Sequence, residues 1–134
     1  MRRIGFVVNP IAGMGGRVGL KGTDGKVEEA RERGAEPRAP GRARTALRAL
    51  RETGADVELL TCDDVMGADA ARAVGFDPAI VARPQDEDGT TAADTRAAVR
   101  AFVDRGVDLV LFVGGDGTAV DVVETLDELD ADTP

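Results

Sequence analysis

Short runs of consecutive apolar residues alternate along this chain with segments whose apolar residues have helical spacing. The clearest run, Leu109–Val113, stops abruptly at a glycine-rich turn, and Ile4–Val8 stops at Asn9-Pro10. Runs that are apolar throughout are typical of strands buried on both faces, and their alternation with helices is typical of a parallel sheet. The sequence therefore predicts an α/β fold, a Rossmann-like parallel sheet with helices on both faces in three layers.

The same patterns place the individual elements within one predicted domain, residues 1–134. Strands are predicted at residues 4–8, 57–60, 79–82 and 107–113, and helices at 43–53, 63–75, from Thr90 or Thr91 to Arg105, and from Thr118 to Leu129. Residues 26–40 are predicted to form a short exposed helix and a loop. Gly54 and Gly106 are expected to end helices. The predicted apolar faces comprise Ala46, Leu47 and Leu50; Ala98, Val99, Phe102 and Val103; and Val120 and Val123 with Leu126 or Asp127.

Composition narrows the class of protein. The 134 residues are 43% hydrophobic, enough for a core, and carry a net charge of −8, which argues against nucleic acid or an anionic membrane as a partner. No apolar run approaches the roughly 20 residues of a membrane span. The single cysteine, Cys62, suits a reducing cytoplasm, where we expect the protein to reside. The chain has no histidine, which excludes imidazole-based acid–base or metal chemistry.

The turn Gly114-Gly115-Asp116-Gly117-Thr118 is the first candidate site. Its glycines are expected to allow positive φ and close approach of a ligand, and the following helix N-terminus suits a phosphate. Thr118 is expected to cap that helix or to donate to a phosphate oxygen. A carboxylate repels phosphate, so Asp116 is better explained by a hydroxyl that it hydrogen-bonds or deprotonates. The alternative is that Asp116 only N-caps the helix.

A second glycine-rich stretch, Asn9–Gly25, follows the first predicted strand. It lacks the Gly-Lys-Ser/Thr of a Walker A loop, and its spacing does not fit G-x-G-x-x-G. Backbone N–H groups together with Lys21 would form a cradle for a polyphosphate. Ligands of parallel sheets bind beyond the carboxyl ends of the strands, which is where both glycine clusters fall. A flexible tether is the alternative interpretation of this stretch.

Both stretches resemble the NAD kinase and diacylglycerol kinase superfamily, and "NPIAGMGGRVGLKGTDG" resembles its archaeal-type ATP-NAD kinases. The resemblance implies phosphorylation of NAD at the adenosine ribose 2′-hydroxyl, with ATP and Mg²⁺. No metal-binding cluster stands out in the sequence, so the Mg²⁺ is expected to arrive with the nucleotide. The resemblance implies that Asp116 is the catalytic carboxylate. It further implies a nucleotide- and phosphate-binding set: Gly114, Gly115, Gly117, Thr118, Asn9, Gly13, Gly15, Gly16, Lys21, Thr23 and Asp24. Val120 departs from the pattern, because the family often has arginine there.

The resemblance covers only the family's N-terminal α/β domain, which a mostly β C-terminal domain follows. We therefore expect these 134 residues alone to be inactive, and the full-length protein to be a homo-oligomer. The chain is either part of a longer protein or a stand-alone domain. Two other functions stay open: a lipid or sphingoid kinase of the same superfamily, and a nucleotide-binding module without catalysis.

Acidic composition with only two lysines among 17 basic residues has two explanations, adaptation to concentrated salt or a GC-rich coding bias. If the first holds, the thermal midpoint should rise from low to molar KCl, because salt screens the self-repulsion of the net charge of −8. A melting series in KCl measures this. A midpoint that stays constant or falls would indicate coding bias.

Overall fold

A parallel four-stranded sheet organises the protein in the computed structural model, which describes residues 1–11, 39–84 and 92–134. The elements in chain order are β1 (Arg2–Val8), α1 (Ala39–Glu52), β2 (Val57–Cys62), a 3₁₀ turn (Asp64–Met66), α2 (Ala68–Ala73), β3 (Ala79–Ala82), α3 (Ala92–Asp104), β4 (Leu109–Val113) and α4 (Asp116–Glu128). The strand order is β3-β2-β1-β4. The predicted four parallel strands and Rossmann-like α/β class are confirmed.

The sheet separates two apolar layers, as expected when alternate side chains of a strand point to opposite faces. One layer includes Phe6 and Val8 of β1 with Ala43 and Leu47 of α1, and it extends to α2. The other includes Val7 of β1 with residues of α3, and α4 packs against α3 and also contacts β4. Helices therefore cover both faces of the sheet, as the sequence predicts.

Several predicted boundaries and faces are corrected. Ala39 and Pro40 belong to the first turn of α1, where proline is tolerated because its missing N–H has no helical partner, and the rest of the predicted 26–40 segment lies outside the described residues. Ala46 is exposed rather than packed. The predicted helix over 63–75 is interrupted at Gly67, whose φ is +153°. Gly54 and Gly106 follow helices with φ of +73° and +69°, which confirms their predicted role.

The last helix differs most from its prediction. It begins at Asp116, two residues early, and it buries Thr118, Val122 and Thr125. Val120 and Val123, predicted as its apolar face, are 51% and 54% exposed. In the described part of the chain, no helix is long and apolar enough to cross a membrane.

β1 and α3 approach closely at Gly5. A Cβ built at this residue would lie 2.5 Å from ring carbons of Phe102, which is fully buried. Gly5→Ala should therefore lower the free energy of unfolding by about 1–3 kcal/mol. Gly41→Ala is the matched control, because Gly41 lies within α1 and an added Cβ would have room there. That substitution should instead raise the free energy of unfolding by up to about 1 kcal/mol. Urea denaturation of both variants measures the difference, and equal effects would contradict this packing.

Candidate functional site

The strand order changes direction between β1 and β4. From β1 the chain adds β2 and β3 on one side and then returns to place β4 on the other. In open α/β sheets, ligands bind in the crevice beyond the carboxyl ends of the strands at such a switch point. Residues Val8 and Val113 are paired at that edge, so the two glycine-rich stretches begin side by side.

Asn9 connects the two stretches. Its backbone N–H donates to the carbonyl of Val113 at 2.9 Å, which extends the β1–β4 ladder by one residue. Its side-chain Nδ2 donates to Oγ1 of Thr118 at 3.1 Å, and its Oδ1 accepts from the N–H of Ile11 at 3.3 Å. The Asn9 side chain therefore fixes the start of the first stretch relative to the first turn of α4.

Thr118 lies inside the protein rather than at the helix cap. It is 4% exposed, and Gly115 occupies the N-cap position of α4, without a side-chain cap. Both predicted capping roles, that of Thr118 and the alternative one for Asp116, are therefore wrong. Asp116 is instead the first helical residue and is exposed. A carboxylate there is favourably placed with respect to the helix dipole and is accessible to a ligand.

The glycines of the turn serve close approach rather than unusual dihedral angles. Among the described residues, glycines with positive φ are Gly54, Gly67, Gly75 and Gly106, so the predicted positive φ in the turn is wrong. A Cβ at Gly114 would lie 2.4–2.7 Å from side-chain atoms of Thr118. A Cβ at Gly115 or Gly117 would meet no described atom within 4 Å. The lack of a side chain at Gly114 thus makes room for Thr118. The lack of side chains at Gly115 and Gly117 leaves the start of α4 accessible.

The described site residues of the two stretches meet at this edge of the sheet: Asn9, Gly114, Gly115, Asp116, Gly117 and Thr118. The remaining candidates lie outside the described residues: Gly13, Gly15, Gly16, Lys21, Thr23 and Asp24. The ligand contacts of both groups stay predictions. Within residues 1–11, 39–84 and 92–134, no group of three or more His, Cys, Asp or Glu side chains could hold a metal ion.

Cys62 contributes no nucleophile to the site. It is fully buried beside Met66, with its Sγ 3.7 Å from the methionine sulfur. Burial, and secondarily the negative charge of Asp94, raises the pKa of the thiol to about 11. The side chain is therefore a neutral part of the core at ordinary pH.

The comparisons with known proteins bear on the family of the whole chain. A family model described as the ATP-NAD kinase N-terminal domain matches residues 4–133. Neither the comparison with curated proteins nor that with solved structures gave a match.

Gly114, which Thr118 approaches closely, and Gly117, which has open space around it, should respond differently to substitution by alanine. Gly114→Ala should lower the free energy of unfolding by about 1–3 kcal/mol, because the new methyl group collides with Thr118. Gly117→Ala should leave it unchanged or raise it by up to about 1 kcal/mol, because the position is helical and open. Chemical denaturation of both variants measures these changes. A stable Gly114→Ala protein would contradict the close approach.

Proposed function

The chain belongs to the family of ATP-NAD kinase N-terminal domains, and we propose that it is the nucleotide-binding α/β domain of an archaeal-type, two-domain NAD kinase. This enzyme transfers the γ-phosphoryl group of ATP to the adenosine ribose 2′-hydroxyl of NAD and forms NADP. The observation that carries the proposal is the exposed carboxylate of Asp116 at the open start of α4, beside the Asn9 contact at the switch point.

Asp116 has the chemistry that the acceptor hydroxyl requires. Its carboxylate accepts a hydrogen bond from the ribose 2′-hydroxyl, which orients the oxygen toward the γ-phosphorus. The 2′ oxygen forms the new bond to phosphorus, the bond to the β–γ bridging oxygen breaks, ADP leaves, and the proton passes to Asp116. Such a transfer depends mainly on positioning, so one carboxylate held on a helix suffices for the protein's part in proton transfer.

The start of α4 provides neutral donors for phosphate. The bond from the Ala119 N–H to the Gly115 carbonyl, at 3.0 Å, begins the helical ladder. The earlier N–H groups, of Asp116, Gly117 and Thr118, precede that ladder, as at any helix start. The absence of side chains on Gly115 and Gly117 lets phosphate oxygens approach them. Mg²⁺ bound with ATP would neutralise phosphate charge.

Two further parts of the proposal concern the setting of the enzyme. The single cysteine suits a reducing cytoplasm, where we propose that the enzyme resides. We also propose that the full-length enzyme is a homo-oligomer, a property that the resemblance to the family implies. Size-exclusion chromatography with light scattering would test the second point.

Asp116→Asn in the full-length enzyme tests the proposed base. We expect kcat to fall on the order of 10²- to 10⁴-fold, because Asn cannot take the proton. The fold should persist, since Gly115 and not Asp116 is the N-cap. The KM for ATP should stay the same or decrease, because a negative charge near the phosphates is lost. Steady-state NADP formation and a thermal melt on the same preparation measure both properties.

Asp127→Asn is the matched control. Asp127 is also exposed on α4, and the substitution removes the same charge far from the helix start. Its kcat should equal that of the wild type. A wild-type kcat in the Asp116→Asn enzyme would overturn the assignment. Diacylglycerol and a sphingoid base, offered in place of NAD, test the lipid kinase alternative, and nucleotide binding without any turnover would indicate a non-catalytic module.

A further inference from the structure

Helix α4, which carries Asp116, has little apolar anchorage. The residues it buries are Thr118, Val122 and Thr125, while Leu126 is half-buried and Val120 and Val123 are exposed to solvent. Burying three small side chains gives less hydrophobic stabilisation than the leucine or phenylalanine contacts of an ordinary core helix. The angle at which α4 lies on the protein therefore depends in part on other contacts.

Those contacts come from Arg96 of α3. Its guanidinium Nη2 lies 2.5 Å from Glu124 Oε2 and 3.3 Å from Asp121 Oδ1, and its Nη1 lies 3.6 Å from Glu128 Oε1. These carboxylates are spaced i, i+3 and i+7, so a single arginine spans two turns of α4 along one face. Arg100 adds a second contact to Glu128, with its Nη2 3.6 Å from Oε2.

Arg96 is better placed than an ordinary surface arginine to form strong ion pairs. Its side chain is 23% exposed, against 50% for Arg100, so water and salt screen it less. Helix α3 is itself fixed to the sheet through buried Ala98 and Phe102, which pack with Val7 of β1. Without the cation, three carboxylates on one face of α4 would repel one another. The sheet therefore holds α3, and α3 holds α4 through Arg96.

We propose that Arg96 is a positioning residue of the phosphotransfer site: by holding Asp121, Glu124 and Glu128, it sets the rotation of α4 and thereby places Asp116. Asp121 follows Asp116 by five residues, about 7.5 Å along a helix, so a rotation of α4 moves both together. The Asn9–Thr118 hydrogen bond holds the first turn of α4, between Asp116 and Asp121. In this proposal Arg96 acts through α4 rather than on a substrate, and the proposal rests on the NAD kinase activity proposed above.

Arg96→Ala in the full-length enzyme should lower kcat about 10- to 100-fold, because displacing the base by the order of 1 Å misaligns it. The KM for ATP should change less than about twofold, since the effect concerns the base rather than nucleotide binding. Arg96→Lys should recover part of kcat, because one ammonium can pair with only part of the carboxylate set. Arg48→Ala, at an exposed position of α1 on the opposite face of the sheet, is the control and should behave as wild type.

A double variant separates positioning from general stability. In the Asp116→Asn background, Arg96→Ala should lower kcat by less than about threefold further, because the group it positions is already gone. A full additional loss would overturn the proposal. So would a wild-type kcat in Arg96→Ala. If Arg96→Ala does not fold, Glu124→Gln, which weakens the shortest of the ion pairs, should give the same pattern with a smaller loss.

Hydrogen exchange gives a readout that needs no activity. In Arg96→Ala, the amides of α4 should lose protection while those of α1 keep it, because only α4 depends on the ion pairs. Unchanged protection of α4 would overturn the proposal. If the wild-type enzyme forms no NADP, the proposed function fails, and the exchange data still decide whether Arg96 holds α4.

Discussion

The pairing of β1 with β4 is the interaction on which the candidate site depends. Five residue pairs, from Ile4 with Leu109 to Val8 with Val113, bring together strands that are far apart in the chain. Because the strands are parallel, both end at one edge of the sheet, where the Asn9 N–H bonds to the Val113 carbonyl. The strand ladder thus fixes the starting points of both glycine-rich stretches before any ligand binds. The Asn9 side chain then extends that order into α4.

The strands could be predicted because parallel strands covered on both faces must be apolar throughout, a pattern that a single sequence displays. Their order could not be predicted from this pattern, since the apolar residues of Ile4–Val8 do not indicate which strands lie beside them. The break at Gly67 was missed for a related reason. An added Cβ there would lie 1.9 Å from Thr61 Oγ1, a contact between two elements that helical spacing cannot reveal. The position of Asp116 at a strand–helix turn was predictable, because glycine clusters and helix starts are local features.

The spacing of apolar residues could not predict which face of α4 packs against the protein. The helix offers one face with Val120 and Val123 and another with Thr118, Val122 and Thr125, and the prediction favoured valine over threonine. Threonine can be buried when its hydroxyl has a partner, and Thr125 Oγ1 donates to the Asp121 carbonyl at 2.7 Å. Arg96, 25 residues before Asp121, forms an ion pair with Asp121, so the acidic face of α4 lies against α3. Nothing in the sequence near Asp121 marks that arginine, so the residue was missed.

The distribution of charge on α4 bears on the proposal that a carboxylate takes part in phosphate chemistry. Between residues 116 and 134 it has seven acidic residues and neither Lys nor Arg, so the helix itself offers phosphate no positive side chain. Arg96 neutralises part of this charge, but on the face of α4 directed at α3. A phosphate bound at this edge, as proposed, would be attracted by backbone N–H groups and by cations outside α4. A carboxylate in the position of Asp116 binds a hydroxyl group more favourably than a phosphate, because a hydroxyl donates a hydrogen bond that a carboxylate accepts. The acidity that opposes phosphate binding by α4 is the same property that suits its first residue to a hydroxyl group, as the proposed role of Asp116 requires.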